Sequence, residues 1–361
     1  MKIALIYPPT ADPTAPYLSV PALAGYLRAN GVEVLPIDAN IEAYDYLLKE
    51  DRLAALAHRL EHRLKRLNGK PVLSHEEHLA WLDLTHSRWR ARTIPEKIED
   101  AVSMMRDRSG ARFYDPEPYE TATVVIEDAL HLMSAAYTPL SLDFSRYRTP
   151  FSLLNPKEIR ADADSERNPF HEYYQRLMDR LAIEPPDLVG ISIVFPGQIQ
   201  PAWSLAYMLR GYFPDMYLTA GGPAITQLFS RLTENQLKHA MEPFDSAILF
   251  EGEAALLKVI SDLKKGSRPQ GRIAGDRRTD LGSLPPPDFD GLPMGKYLSP
   301  ELVLPYDTTR GCYWGKCAFC QYGLAETGTA PYRQRPVEDV LTDLPPQLRR
   351  DMPYNILKLF F

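Results

Sequence analysis

All three cysteines of this 361-residue chain lie in one stretch, Gly-Cys-Tyr-Trp-Gly-Lys-Cys-Ala-Phe-Cys, from Gly311 to Cys320. Four residues separate Cys312 from Cys317, and two separate Cys317 from Cys320. Thiolates this close in sequence can share one metal centre. A structural zinc site takes four protein ligands, so three cysteines would need a histidine or carboxylate beside them. No histidine follows His239. A cubane 4Fe–4S cluster tolerates three thiolates and then keeps one iron open, the arrangement a catalytic cluster requires. Iron–sulfur, zinc and unligated thiols are the three readings, in that order.

The elements that must position this loop follow a βα rhythm. Residues 3–7, Ile-Ala-Leu-Ile-Tyr, are apolar throughout and predict a strand buried on both faces of a parallel sheet. A helix follows, with Ser19 as its N-cap, Pro21 in the first turn and Gly31 as its stop, and then a second strand near Val34. The rhythm resumes after residue 187 with strands in DLVGISIV, MYLTAGG and DSAILFEGE, and with helices between and after them. These pieces predict an α/β fold with a five-stranded doubly wound sheet, which places ligands at the carboxyl ends of its strands.

Residues 42–182 interrupt the rhythm as a helical insertion. Leu53, Leu56, Leu60, Leu64 and Leu67 recur at three- and four-residue steps and give one apolar stripe. His58 and His62 stand one turn apart, a spacing that suits a metal but suits a solvated helix flank better. Trp81, Trp89 and the aromatic run YTPLSLDFSRYRTPF predict packing, with a lid or substrate platform as the second reading. A Pro- and Gly-rich linker spans 271–299, and a last unit covers 300–361.

The formal charge of −6 gives no general affinity for nucleic acid or an anionic membrane. Hydrophobic residues at 45% and charged residues at 24% are those of a globular chain. The N-terminus lacks the apolar core of a signal peptide, and no uncharged apolar run is long enough to span a bilayer. Three clustered cysteines point to a reducing compartment. The expectation is a cytoplasmic protein.

The stretch TTRGCYWGKCAFCQYG resembles the cluster loop of the radical S-adenosylmethionine enzymes, with Phe319 in the aromatic position before the last cysteine. Its first gap is one residue longer than the commonest form. The resemblance implies that Cys312, Cys317 and Cys320 hold a 4Fe–4S cluster, that Phe319 meets the adenine of S-adenosylmethionine, and that the strand before the loop opens a partial (β/α) barrel. In that family S-adenosylmethionine chelates the free iron and is cleaved reductively to a 5′-deoxyadenosyl radical. A reductant such as flavodoxin or ferredoxin is implied.

Upstream, YPP, YLSVPALAGYLRANG, VGISIVFPGQ, AGGP and FEGE resemble, in this order, the cobalamin-binding branch of the family. Residues 1–41 with 183–270 then form a Rossmann-like cobalamin domain. Carried over by position, Ser192 and Val194, the pair Gly221 and Gly222, and the turn Glu251, Gly252 and Glu253 are the cofactor contacts. Met1 to Asp51 contain no histidine, so cobalamin would be held without the cobalt-ligating histidine of the classical mutases. The resemblance implies methyl transfer to an unactivated carbon, or a related radical reaction, on a small-molecule or peptide substrate. A non-catalytic cobalamin-binding module and an iron–sulfur electron carrier are the alternatives. The 61 residues after Pro300 are too few for a barrel, which predicts a fragment or a separate chain that completes it.

Overall fold

The computed structural model describes residues 1–150, 155–275, 280–301, 303–314, 317, 332–349 and 359–360. It is an α/β protein built on a six-stranded parallel sheet. The strands are β1 (Ile3–Tyr7), β2 (Val34–Asp38), β3 (Leu188–Ser192), β4 (Tyr217–Gly221), β5 (Ser246–Leu249) and β6 (Gly271–Ala274). They lie in the order β2-β1-β3-β4-β5-β6. Ile3 faces Val34 on one side and Leu188 on the other, which makes β1 a central strand and explains why its five residues are all buried.

The sheet has one strand more than the sequence predicted. Gly271–Ala274 pairs with Ser246–Leu249 where a linker was expected. Nor does the rest of that segment run free. Asp288 N donates to Pro21 O, the Arg28 guanidinium pairs with Asp288 at 2.9 Å, and Tyr297 OH donates to Asp38. A Cβ on Gly25 would come 2.3 Å from Pro286 O, so residues 285–299 form a strap that touches the Ser19–Ala29 helix backbone to backbone.

Alternate strand residues enter two cores. Ala4, Ile6, Val189, Ile191, Leu218 and Ala220 face one, and Ile3, Leu5, Tyr7, Leu188 and Tyr217 face the other. The insertion packs into the first core and forms no core of its own. Leu53, Leu56, Leu60, Leu64 and Leu67 of the Glu50–Asn68 helix are buried there with the Pro116–Ala136 and His171–Ile183 helices. The second core is thinner, and is closed by the Ser19–Ala29 and Glu253–Lys264 helices.

His58 and His62 stand on the exposed flank of their helix. Trp81 is half-buried and donates to Asn68, while Trp89 is exposed beneath the Arg90 guanidinium. After the strap, Thr309–Arg310 pairs antiparallel with Arg333–Gln334, and Tyr306–Asp307 pairs in parallel with Leu359–Phe360. Among the described residues no helix is long and apolar enough to cross a membrane.

Candidate functional site

The carboxyl ends of β1, β3, β4 and β5 open onto a cavity of about 260 Å³ on the thinner side of the sheet. Its floor is Leu5, Gly190, Thr219 and Ile248. Ala22 and Leu23 of the Ser19–Ala29 helix form one wall, and Leu256 of the Glu253–Lys264 helix the other. The space exists because small residues stand where the two helices and the sheet would otherwise meet. A Cβ on Gly190 would lie 3.0 Å from Leu5 Cδ2. The Thr219 hydroxyl is already satisfied, bonded to Ser246 Oγ at 2.9 Å, so the floor offers a ligand apolar contact.

The rim is polar. The hydroxyls of Ser192 and Ser19 hydrogen-bond to each other at 2.9 Å. Ser19 is therefore not the helix N-cap expected from its type. Leu18 holds that position without a capping side-chain bond, and Ser19 is turned to the cavity. Gly221, Gly222, Glu251, Gly252 and Glu253 complete the mouth with Arg310.

Gly222 has a backbone reason to be glycine: its φ is +106°, and a Cβ would stand 2.4 Å from Ile193 O. Gly221 has no such clash, with Ile248 O at 3.6 Å from its would-be Cβ. Phe250 beside them adopts φ +67°, the left-handed region that a bulky side chain rarely enters. Its N–H donates to Thr226 Oγ1 at 2.9 Å, which helps hold the turn that presents Glu251. Gly275 passes so close beneath that a Cβ would fall 1.9 Å from Glu251 O.

Val194 does not line the cavity. Its side chain packs in the thinner core, and its N–H donates to Gln198 Oε1 at 2.8 Å. Gln198, fully buried, also accepts from Phe195 N and donates to Pro8 O, so it fixes the turn after β3 against the loop after β1. Beyond this turn Tyr7 and Tyr17 stack at 5.3 Å, with Phe195 edge-on to Tyr17 at 5.5 Å.

Arg310 ties the cysteine segment to the mouth. Its guanidinium donates to Glu253 Oε1 at 2.6 Å, to Glu251 Oε2 at 3.3 Å and to Asp307, and Arg333 also pairs with Glu251. Burial pulls the Arg310 pKa down, but Glu253 and Asp307 outweigh it and hold the value above normal. Nothing in the chain's local pattern marked Arg310, because Glu251 and Glu253 lie almost sixty residues away in sequence.

Cys312 and Cys317 are free and half-buried. Cys320 and Phe319 lie outside the described residues. Among the described residues no three His, Cys, Asp or Glu side chains gather as a metal site. The two described thiols are soft donors of the kind an iron–sulfur cluster or zinc takes. The cavity is apolar at its floor and walls, with the serine hydroxyls and the acidic turn at its edge. Compared with known proteins, the chain matches no family model, no curated protein and no solved structure.

Proposed function

We propose that the chain is a cobalamin-dependent radical S-adenosylmethionine protein, with a doubly wound Rossmann-like domain for cobalamin and the opening of a (β/α) barrel for the cluster. The observation that carries this reading is the joining of two features by one residue. Arg310 walls an apolar cavity at the strand ends, and Cys312 follows two residues later. In doubly wound sheets the strand ends beside the point where strand order reverses are the usual ligand crevice, and the order β2-β1-β3 reverses there.

In this reading Cys312, Cys317 and Cys320 hold the 4Fe–4S cluster and Phe319 faces S-adenosylmethionine. Gly190, Ala22 and Leu5 receive the flat base of the cobalamin tail. Ser19 and Ser192 offer hydroxyls to its polar edge, and Glu251 and Glu253 are committed to Arg310. When bound, the cluster supplies the electron for reductive cleavage and cobalamin supplies a methyl carrier. The reaction is methyl transfer to an unactivated carbon of a small molecule or peptide, with flavodoxin or ferredoxin as reductant. The serine pair has no histidine at the site, so it binds and is not a nucleophile.

Anaerobic reconstitution with iron and sulfide tests this. The expected outcome is a cluster whose electron paramagnetic resonance changes on adding S-adenosylmethionine, with 5′-deoxyadenosine released under dithionite. Purified material with tetrahedral zinc in place of the cluster would overturn it. One feature favours a non-catalytic cobalamin module as second reading: every wall residue of the cavity except Arg310 precedes Leu257. Cobalamin retained at full occupancy by the triple Cys→Ala variant, with no S-adenosylmethionine cleavage by the native chain, is its signature.

A further inference from the structure

The charges around Arg310 form a junction between two parts of the chain that are remote in sequence. Glu251 and Glu253 belong to the turn after β5 and the helix that follows it. Asp307 and Arg310 belong to the segment that leads into Cys312. The Arg310 side chain is only 16% exposed, and Glu253 and Glu251 are 10% and 17% exposed. The short ladder of Thr309–Arg310 with Arg333–Gln334 brings in Arg333, whose guanidinium also donates to Glu251. The same Arg310 side chain walls the cavity beside Ser19 and Ser192.

We propose that Arg310 is a positioning residue that couples occupation of the cavity to the order of the cysteine segment. The proposal rests on the reading of the cavity as a cobalamin site. A guanidinium is a rigid planar fork, and here its donors are divided between carboxylates of the turn and helix after β5 and a carboxylate on the cysteine segment. It cannot swing without breaking buried, charge-assisted hydrogen bonds. A ligand that packs against its stem therefore restrains residues 306–312. By reciprocity, ordering of the cysteine segment tightens the cavity wall. Lysine would keep the charge but could not hold Glu251, Glu253 and Asp307 in one planar fork, and methionine would keep only the apolar stem.

Amide hydrogen exchange on the full-length, cluster-reconstituted chain tests the coupling, with hydroxocobalamin as the probe. In the native chain saturating hydroxocobalamin slows exchange in peptides 19–27 and 188–194, and slows 303–314 about tenfold. In Arg310→Met the first two peptides stay slowed, whereas the effect on 303–314 falls below about twofold. Asp307→Asn, which alters no wall of the cavity, frees one edge of the guanidinium and lowers the effect on 303–314 by about half, and carries the test if Arg310→Met does not fold. Unchanged exchange in peptide 53–67 certifies each variant as folded. Undiminished slowing of 303–314 in the folded variants overturns the proposal. So does native chain in which 19–27 is slowed and 303–314 is not, an outcome that leaves the cobalamin reading standing. If the probe slows no peptide of the native chain, the cobalamin reading falls and takes the coupling with it.

Discussion

The face of the sheet under the insertion is filled, while the face under the Ser19–Ala29 and Glu253–Lys264 helices holds a cavity. The two faces are made by alternate residues of the same strands. On the filled side large rings are fully interleaved: Tyr44 meets Phe144 and Phe170 edge-on, and Trp203 meets Phe229 and Phe244 edge-on. On the other side two helices span the strands, and Gly190, Ala22 and Ser19 stand where bulky side chains would close the gap. Side-chain volume, more than hydrophobicity, separates the close-packed face from the face that holds a cavity.

Truncating matched leucines breaks the comparison most sharply. Leu60, fully buried on the filled side, loses contacts all round, so Leu60→Ala costs about 4 kcal/mol. Leu256, equally buried but beside the cavity, already has empty space on one side, and Leu256→Ala costs about 2 kcal/mol. Urea denaturation midpoints check the pair; equal losses would mean that the cavity is packed shut in solution.

Asp38, at the end of β2, gives a smaller effect with a definite sign. Burial pushes its carboxyl up to about 6, against the lowering by hydrogen bonds from Tyr297 OH and Ile41 N. The folded chain thus holds this proton more tightly than the unfolded chain. The contribution is fully present below about pH 4 and is lost as pH rises to about 6, on the order of 3 kcal/mol. Asp162, buried within the insertion, is pushed up to about 6 in the same way. Denaturation at pH 4 and pH 7 should therefore show a shallower decline in Asp38→Asn than in the native chain, and a still shallower one when Asp162→Asn is added.

The smallest effect on stability sharpens the comparison from the ligand side. Gly190→Ala places a methyl group against the flexible end of Leu5 and changes stability by less than about 1 kcal/mol. It also fills part of the floor, so hydroxocobalamin binding, read by equilibrium dialysis, weakens about tenfold. A full loss of stability with unchanged binding would move the ligand elsewhere.

Much of the sheet could be read from the chain because its strands are locally uniform. Ile3–Tyr7 is apolar at every position, which only a doubly covered parallel strand requires. The leucine stripe of the Glu50–Asn68 helix was equally plain, and Gly31, with φ +71°, stops its helix as its type suggests. β6 was not legible: Gly271–Ala274 is short, only half-buried and flanked by proline and glycine, so its pattern is that of a linker. Ser19 had the right type for a cap, but a hydroxyl partner on β3 decided its role. The site residues named at the strand ends do meet at one mouth, except Val194, whose backbone and not its side chain is used.

The sequence by itself determined most of the strands and helices, and that three thiols fall within one stretch of nine residues. Those properties depend on neighbours within a few residues. Only the tertiary structure decided that β6 joins the sheet, that the insertion fills one face and leaves a hollow on the other, and that Arg310 bridges the hollow to Cys312. Each of these depends on distances between residues far apart in the chain, and a linear pattern carries no record of such distances.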